Sequence, residues 1–433
     1  MSVLKIVSQR LSSKKNTKRI YIESGKLERA GLKAGTPIKI ETSHHKVIIT
    51  VSEEGNRIIT SRKSRPIVDI CNKEITEALQ GVERITLKIT SRGIIVEPLK
   101  EELLVKKSTK GLKSTTPKYM DIFAGGGTLS KCFKDAGFDP VCAIELEEKY
   151  LANYEANFPN ALTYGGSIEH IDLSLLPDAD IISAGIPCEG YSQSGLSGRG
   201  KNGTNREAHP TGHLGFFVLQ IIGVIRPAVV LIEEVPNFKN SAMATLTFSV
   251  LKSMGYSIEE TMLHAHDYGS ITKRKRYCMV ASLGDVEFTF PTPVASLFRD
   301  NIEDILEIST KDREWLTEQN SSTIVSMKKQ EAKHRLKGNG FRIAGVESHE
   351  ECCATITKGY QNRRLTDPVL TDGNGGYSFF TPRELARING LPNDFIIPDI
   401  KSTSSQIIGQ GVAYQPFMAV ANQIKKICFT SMQ

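Results

Sequence analysis

Four short stretches carry residue types that do chemistry. In Gly185-Ile-Pro187-Cys188-Glu-Gly-Tyr-Ser192, a cysteine follows a proline just beyond an apolar run. A cysteine there is placed like a nucleophile, whose reactive form is the thiolate. Most cysteines are small buried hydrophobes, so taken alone this one is open to either role. Glu233-Glu234-Val-Pro236 closes the apolar run that begins at Ala228. A carboxylate so far along a buried strand is costly to desolvate unless it has a task. Thr272-Lys-Arg274-Lys-Arg276 alternates polar and basic residues. On an extended segment Arg274 and Arg276 point the same way, as a paired-arginine site requires. Finally, Asp121-Ile-Phe-Ala-Gly125-Gly126-Gly127 ends one apolar run and opens a helical pattern, which lets backbone approach a nucleotide-like ligand. Glu145 follows Gly125 by 20 residues, and an acid there can accept hydrogen bonds from both hydroxyls of a ribose.

These residues need a scaffold, and from Lys118 onward strands alternate with helices. Strand patterns fall at 118–125, 140–146, 179–185, 228–235 and 277–283, and helical ones at 130–137 and 215–225. The run 228–235 is almost continuously apolar, as a strand buried on both faces should be. The alternation predicts an α/β fold with a doubly wound sheet. The first hundred residues read differently. Alternating strands at 19–24, 36–42 and 46–51 are followed by a second set at 65–70, 84–90 and 93–98. Each set has a strand, a short helix (25–32 or 72–80) and a hairpin turning at Ser43–His45 or Ser91–Gly93. This is the mark of a duplicated module of about 48 residues. Residues 99–118 are lysine-, serine- and threonine-rich and read as a linker.

Composition narrows the class. The chain has 433 residues, 39% hydrophobic and 24% charged, which excludes wholesale disorder. No run approaches the length of a membrane helix, and the polar, basic first 20 residues do not resemble a secretory signal. Eight cysteines without a CxxC pair argue against a disulfide framework or a zinc site, so a reducing cytoplasm is the expected compartment and no metal is expected. Cys132, Cys142, Cys278 and Cys428 sit in apolar patterns and are expected in the core. Residues 1–118 hold 25 Lys+Arg against 12 Asp+Glu, whereas 119–433 hold 30 against 36. A basic piece on a mildly acidic body is suited to meet a polyanion.

In order and character the stretches resemble the C5-cytosine methyltransferase family over residues 119–433. DIFAGGG resembles its first cofactor motif, GIPCEGYSQSG its Pro-Cys loop, LIEEVPNF its Glu-Asn-Val strand and TKRKR its Gln-x-Arg-x-Arg segment. RELARINGLPNDF (383–395) resembles its ninth motif and GQGVAYQPFMAVANQI (409–424) its last. The resemblance implies a Rossmann-like methyltransferase sheet. Its domains would be a basic β-rich N-terminal domain (1–99), a linker (100–118), an S-adenosylmethionine-binding catalytic domain (119–285), a target-recognition region (286–375) and a C-terminal segment returning to the catalytic domain (376–433). It also implies catalysis by Cys188, Glu233, Arg274 and Arg276. Phe123, Ala124, Gly125, Gly127, Glu145, Ser167, Ile168, Pro187, Leu214 and Gln410 would bind cofactor, and Ser192, Thr355, Arg363 and Arg364 would bind DNA. Five residues depart from the family pattern: Ser167 for aspartate, Glu189 for glutamine, Glu234 for asparagine, Thr272 for glutamine and Gln410 for asparagine.

The implied reaction suits these residue types. A thiolate adding to C6 of cytosine makes C5 nucleophilic enough to take a methyl group. A desolvated carboxyl can hold a proton at N3, and arginines can bind O2 and phosphate. A base inside a duplex must first be flipped out. The implied partners are double-stranded DNA, a cognate restriction endonuclease and a second copy of the chain joined through the N-terminal domain. That last partner follows from a resemblance of residues 18–98 to AbrB/SpoVT-like swapped-hairpin DNA-binding modules. Two other functions share the fold. A tRNA cytosine-5 methyltransferase would carry a Cys-Phe-Thr segment in its recognition region, and residues 286–375 have none. A DNA-binding regulator with a degenerate body would not need the intact cysteine, glutamate and arginines. The N-terminal module is expected to bind phosphates and to be dispensable for chemistry. The contrary expectation is that it packs on the body as a cap.

Overall fold

The computed structural model describes residues 3–14, 17–23, 25–28, 31–99, 116–187, 209–284, 287–294 and 301–429. Cys188, Glu189 and Ser192, and most of the linker, lie outside the described residues.

The body is built on the doubly wound sheet that the alternation predicts. Strand Lys118–Ile122 lies between Asp139–Glu145 and Ile181–Gly185, parallel to both. Leu162–Gly165 extends the sheet on one side, and Val229–Glu234 on the other, again in parallel. Two antiparallel strands, Lys275–Leu283 and Tyr256–His264, finish that second side. The central strands are β-branched and apolar (VVLI, IIS, CAI) and buried on both faces, which is the condition that favours such runs. Helices Leu214–Ile225 and Ala242–Ser253 pack on one face through Ile222, Val218 and Met243, against Ile182, Val230 and Met279. Helices Thr128–Asp135 and Tyr414–Ile424 cover the other through Phe133, Phe417 and Val420. The C-terminal segment therefore packs against the central sheet. Val412 donates its N–H to Thr128 Oγ1 at 3.1 Å, and the Tyr414 hydroxyl donates to Asp135 at 2.6 Å.

The stretch 286–375, read from sequence as irregular, holds a helix, Ser322–Leu336, and a small sheet. The sheet is made of Ala344–Val346 and Pro368–Thr371, with Tyr377–Ser378 joining from beyond residue 375. One apolar cluster lies around Ile324, Met327 and Val369, and a second, around Ile302, Ile356 and Tyr360, is shared with Leu385 and Phe395 of the C-terminal segment.

The N-terminal domain shows the duplicated order of strand, helix and hairpin. Equivalent strands pair with each other. Thr17–Glu23 runs antiparallel to Arg65–Cys71, and Lys46–Val51 antiparallel to Gly93–Pro98. The two repeats thus close on one another within a single chain, around Ile20, Ile49, Val68, Ile75 and Val96. Both pairings are made within the one chain. The sequence reading assigned no element to residues 3–10. They form a strand, Val3–Arg10, antiparallel to Arg84–Thr90 and parallel to Leu162–Gly165. Through it the N-terminal domain and the body share one 13-stranded sheet. Among the described residues, no helix is long and apolar enough to cross a membrane.

Candidate active site

The first half of the candidate site begins where Lys118–Ile122 ends. Asp121 is fully buried and accepts hydrogen bonds from the hydroxyls of Ser130 and Ser183, each at 2.6 Å. Burial pushes its pKa up to about 6. Asp121 thus anchors the strand to helix Thr128–Asp135 and to the neighbouring strand, and does not face a ligand. The chain then turns sharply, with Phe123 at φ 58°, Gly125 at 53° and Gly127 at 90°. Phe123 holds a conformation that non-glycine residues rarely adopt, which marks the turn as over-determined by its surroundings. Ala124 is buried and donates its N–H to Ile144 O at 3.0 Å, tying this turn to the strand that carries Glu145.

Glu145 faces that turn. One carboxylate oxygen accepts the Gly125 N–H and the other the Glu147 N–H, both at 2.8 Å. Burial raises its pKa, while these N–H groups and Lys358 oppose the shift. Each oxygen retains a lone pair, enough for the two hydroxyls of a ribose. Gln410 reaches the same turn, with Nε2 3.4 Å from where a Cβ on Gly125 would stand. Ser167 caps the 3₁₀ turn Ile168–His170 and donates its hydroxyl to Glu169 at 2.8 Å. Glu169 in turn meets His213 Nε2 at 2.7 Å, which places Leu214, at the start of its helix, beside the buried Ile168. Sequence reading passed over Leu146. It is apolar yet 62% exposed, directly after Glu145 at the open end of the sheet. An exposed leucine next to an acid at a strand end is the signal that could have found it.

The reacting half sits on the neighbouring strands. In the parallel register Gly185 lies opposite Glu233, three residues before Cys188. Glu233 Oε2 is 3.4 Å from where a Cβ on Gly185 would be, so the start of the Pro187-Cys188 loop runs against this carboxylate. Arg276 Nε pairs with Glu233 Oε1 at 2.7 Å. The same-side expectation for the arginines holds. Thr272 and Arg274 are buried and Arg276 is half-buried, whereas Lys273 and Lys275 face out. Their tasks differ, however. Arg274 is 2% exposed and donates to Ile356 O and Gly409 O, at 3.1 Å in each case. It ties the arginine segment to residues 353–356 and to the end of the helix that presents Gln410. The parallel bridge Thr272–Cys353 reinforces this junction and brings Thr355 to it. Gly409 is required there, because a Cβ would lie 2.2 Å from Thr357 O.

The two arginines expected at DNA, Arg363 and Arg364, each have a neighbour within the chain. The Arg363 guanidinium lies 3.7 Å from the Phe379 ring centroid, and burial lowers its pKa. Arg364 is exposed but sits against Gly359. Glu234, which follows Glu233 on the strand, points to the opposite face and is 1% exposed. Burial, and then the charge of Glu233, hold its pKa well above the usual carboxylate range. Its Oε1 has no hydrogen-bond partner among the described residues. Cys132, Cys142, Cys278 and Cys428 are buried, as their patterns imply.

Comparison with known proteins agrees with this geometry. The chain is 29% identical over 314 residues to the Type II methyltransferase M.NlaX of Neisseria lactamica, covering 71% of this chain and 96% of that protein. It is 27% identical over 394 residues to M.SsoII of Shigella sonnei, covering 85% of this chain and 98% of that one. That span exceeds residues 119–433, so the second match enters the N-terminal part. The S. pombe Dnmt2 methyltransferase structure superposes with a TM-score of 0.56 at 19% identity, over 72% of this chain and all of that one, and shows the shared fold. Residues 117–426 match the family model for C-5 cytosine-specific DNA methylases. That match spans most of the chain, and the chain belongs to that family of enzymes.

Proposed function

We propose that this enzyme methylates C5 of a cytosine flipped out of a specific duplex DNA sequence, using S-adenosylmethionine and a covalent adduct between Cys188 and C6. The observation that carries the reading is the contact of Glu233 with Gly185. A carboxyl and its arginine opposite Gly185, three residues before Cys188 in sequence, support a shared site. The glycine turn with Glu145 opens at the same ends of the parallel strands.

Phe123, Ala124, Gly125, Gly127, Glu145, Ser167, Ile168, Pro187, Leu214 and Gln410 would hold the cofactor, with Leu146 added as an apolar wall. The two capped oxygens of Glu145 and the side-chain-free turn fit an adenosyl group. When bound, it supplies an electrophilic methyl group. Cys188, as thiolate, adds to C6. Glu233 holds the proton at N3 as charge develops on the ring. Arg276 orients Glu233 and presents the rest of its guanidinium to the base O2. Loss of the C5 proton then releases the thiolate. Arg274 was expected to share that work. Its burial and its two carbonyl partners support a second task, holding the segment with Thr355 against the helix that presents Gln410. Ser192 and Arg364 remain proposed DNA contacts, and Arg363 stiffens the segment by stacking on Phe379. The excess of basic over acidic residues in 1–118 supports added phosphate contacts by the N-terminal domain. Relatives named as Type II methyltransferases support a role in restriction-modification.

The test is tritiated methyl transfer to duplex DNA and to tRNA, with trapping on DNA that contains 5-fluorocytosine. We expect transfer to DNA alone. Cys188→Ser should abolish both transfer and trapping while still binding cofactor. Turnover by the serine variant at the wild-type rate would reject the mechanism.

A further inference from the structure

Resting on the cofactor reading above, we propose that the N-terminal strand Val3–Arg10 positions the adenosine half of the cofactor site, with Lys5 and Ser8 as its positioning residues. The strand pairs in parallel with Leu162–Gly165 in the register Lys5–Thr163, Ile6–Tyr164 and Val7–Gly165. It therefore replaces solvent along what would otherwise be the open edge of the cofactor-binding sheet.

Two contacts reach the two flanks of the site. Lys5 is 3% exposed, and its ammonium meets Glu148 at 3.0 Å and Glu155 at 3.2 Å. Both acids belong to helix Glu148–Asn157, which starts three residues after Glu145. Thr163 Oγ1 also donates to Glu155, at 2.5 Å, so helix, edge strand and N-terminal strand share one polar knot. A buried ammonium is tolerated only when paired, so this contact fixes the helix against the sheet. On the other flank, the hydroxyls of Ser8 and Tyr164 are hydrogen-bonded, and Tyr164 donates onward to His170 O at 2.7 Å. His170 closes the turn that Ser167 and Ile168 begin. Gly166 passes so close that a Cβ there would lie 3.1 Å from Ser8 O, and its φ of 140° suits glycine. One strand thus holds both the segment after Glu145 and the Ser167–Ile168 turn. Neither Lys5 nor Ser8 belongs to the reacting machinery.

The experiment compares full-length Lys5→Met, Lys5→Arg, Ser8→Ala and Glu145→Ala by calorimetry with S-adenosylmethionine, by DNA binding, and by kcat and KM. We expect Lys5→Met to weaken cofactor binding about ten-fold and Ser8→Ala about three-fold, on the scale of one lost supporting contact. DNA affinity, and kcat at saturating cofactor, should stay near wild type, and Lys5→Arg should recover most of the loss. Should Lys5→Met fail to fold, Ser8→Ala decides by the same criteria. Unchanged cofactor affinity in the folded variants would overturn the inference, as would an equal fall in cofactor affinity, DNA affinity and kcat. If Glu145→Ala also leaves the affinity unchanged, the assignment of the cofactor site falls and takes this inference with it. A loss in Glu145→Ala alone rejects only the role of the strand.

Discussion

Glu234 shows how one side chain can depart from a family pattern without losing its place. The family pattern has a neutral amide here, and the chain has a carboxyl that burial and the adjacent Glu233 keep neutral well above the usual range. A neutral carboxyl, like an amide, presents both a donor and an acceptor. Because the folded-state pKa is raised above the unfolded one, its contribution to stability is complete below the unfolded pKa. That contribution is lost as pH rises through the folded pKa. Glu234→Gln cannot ionise, so its melting temperature should gain on wild type by a margin that widens from about pH 5 to about pH 9, with kcat little changed. A margin constant across that range would show that the fold does not raise the pKa of Glu234 above its unfolded value. Thermal melts of the two proteins in matched buffers measure it.

At the scale of elements, the segment 272–276 does two jobs with one alternation. Arg276 turns to Glu233, whereas Arg274 is consumed by backbone carbonyls from two distant segments. Arg274→Met should leave buried carbonyls without donors, at about 1–3 kcal/mol for each unsatisfied group. We expect a lower unfolding midpoint in urea together with loss of DNA binding, since residues 353–356 lose their anchor. Arg276→Met should lower kcat with little change in midpoint. Equal stability of the Arg274 variant and wild type would show that it is not a clamp. Sequence spacing did reveal that both arginines share a side. It could not show which partners each would meet, because Ile356 and Gly409 lie 82 and 135 residues away.

For the whole molecule, the shared 13-stranded sheet changes what a truncation should do. Deleting residues 1–113 removes the partner of Leu162–Gly165 and leaves Glu148 and Glu155 without Lys5. An exposed parallel edge pairs readily with other chains. The truncated protein is therefore expected to aggregate or to lose methyl transfer at every salt concentration. Size-exclusion chromatography and transfer assays between about 50 and 200 mM salt check this, the range over which phosphate contacts weaken most visibly. A soluble, active truncation with only a flatter salt dependence would restore the picture of a separable DNA-binding module.

Local pattern by itself determined much of this protein. The strands around Lys118–Ile122 and Val229–Glu234 are legible because burial on both faces demands continuous apolar runs. The repeats of the N-terminal domain are legible because each half-buried strand must alternate. The glycine turn, the carboxyl and the arginines were legible as candidates, because a carboxyl or an arginine along a buried strand is costly without a partner. Tertiary structure alone decided the rest. Leu162–Gly165 has only four residues, and in Tyr256–His264 the alternation breaks at Glu259-Glu260 and Met262-Leu263, so neither carries a strong period. Val3–Arg10 has the composition of an unremarkable basic start, and only its pairing across more than 150 residues makes it part of the cofactor sheet. The same holds for Arg274 and Lys5. A buried cation is defined by the acceptors around it, and those come from chain far away, brought close by packing that no local pattern records.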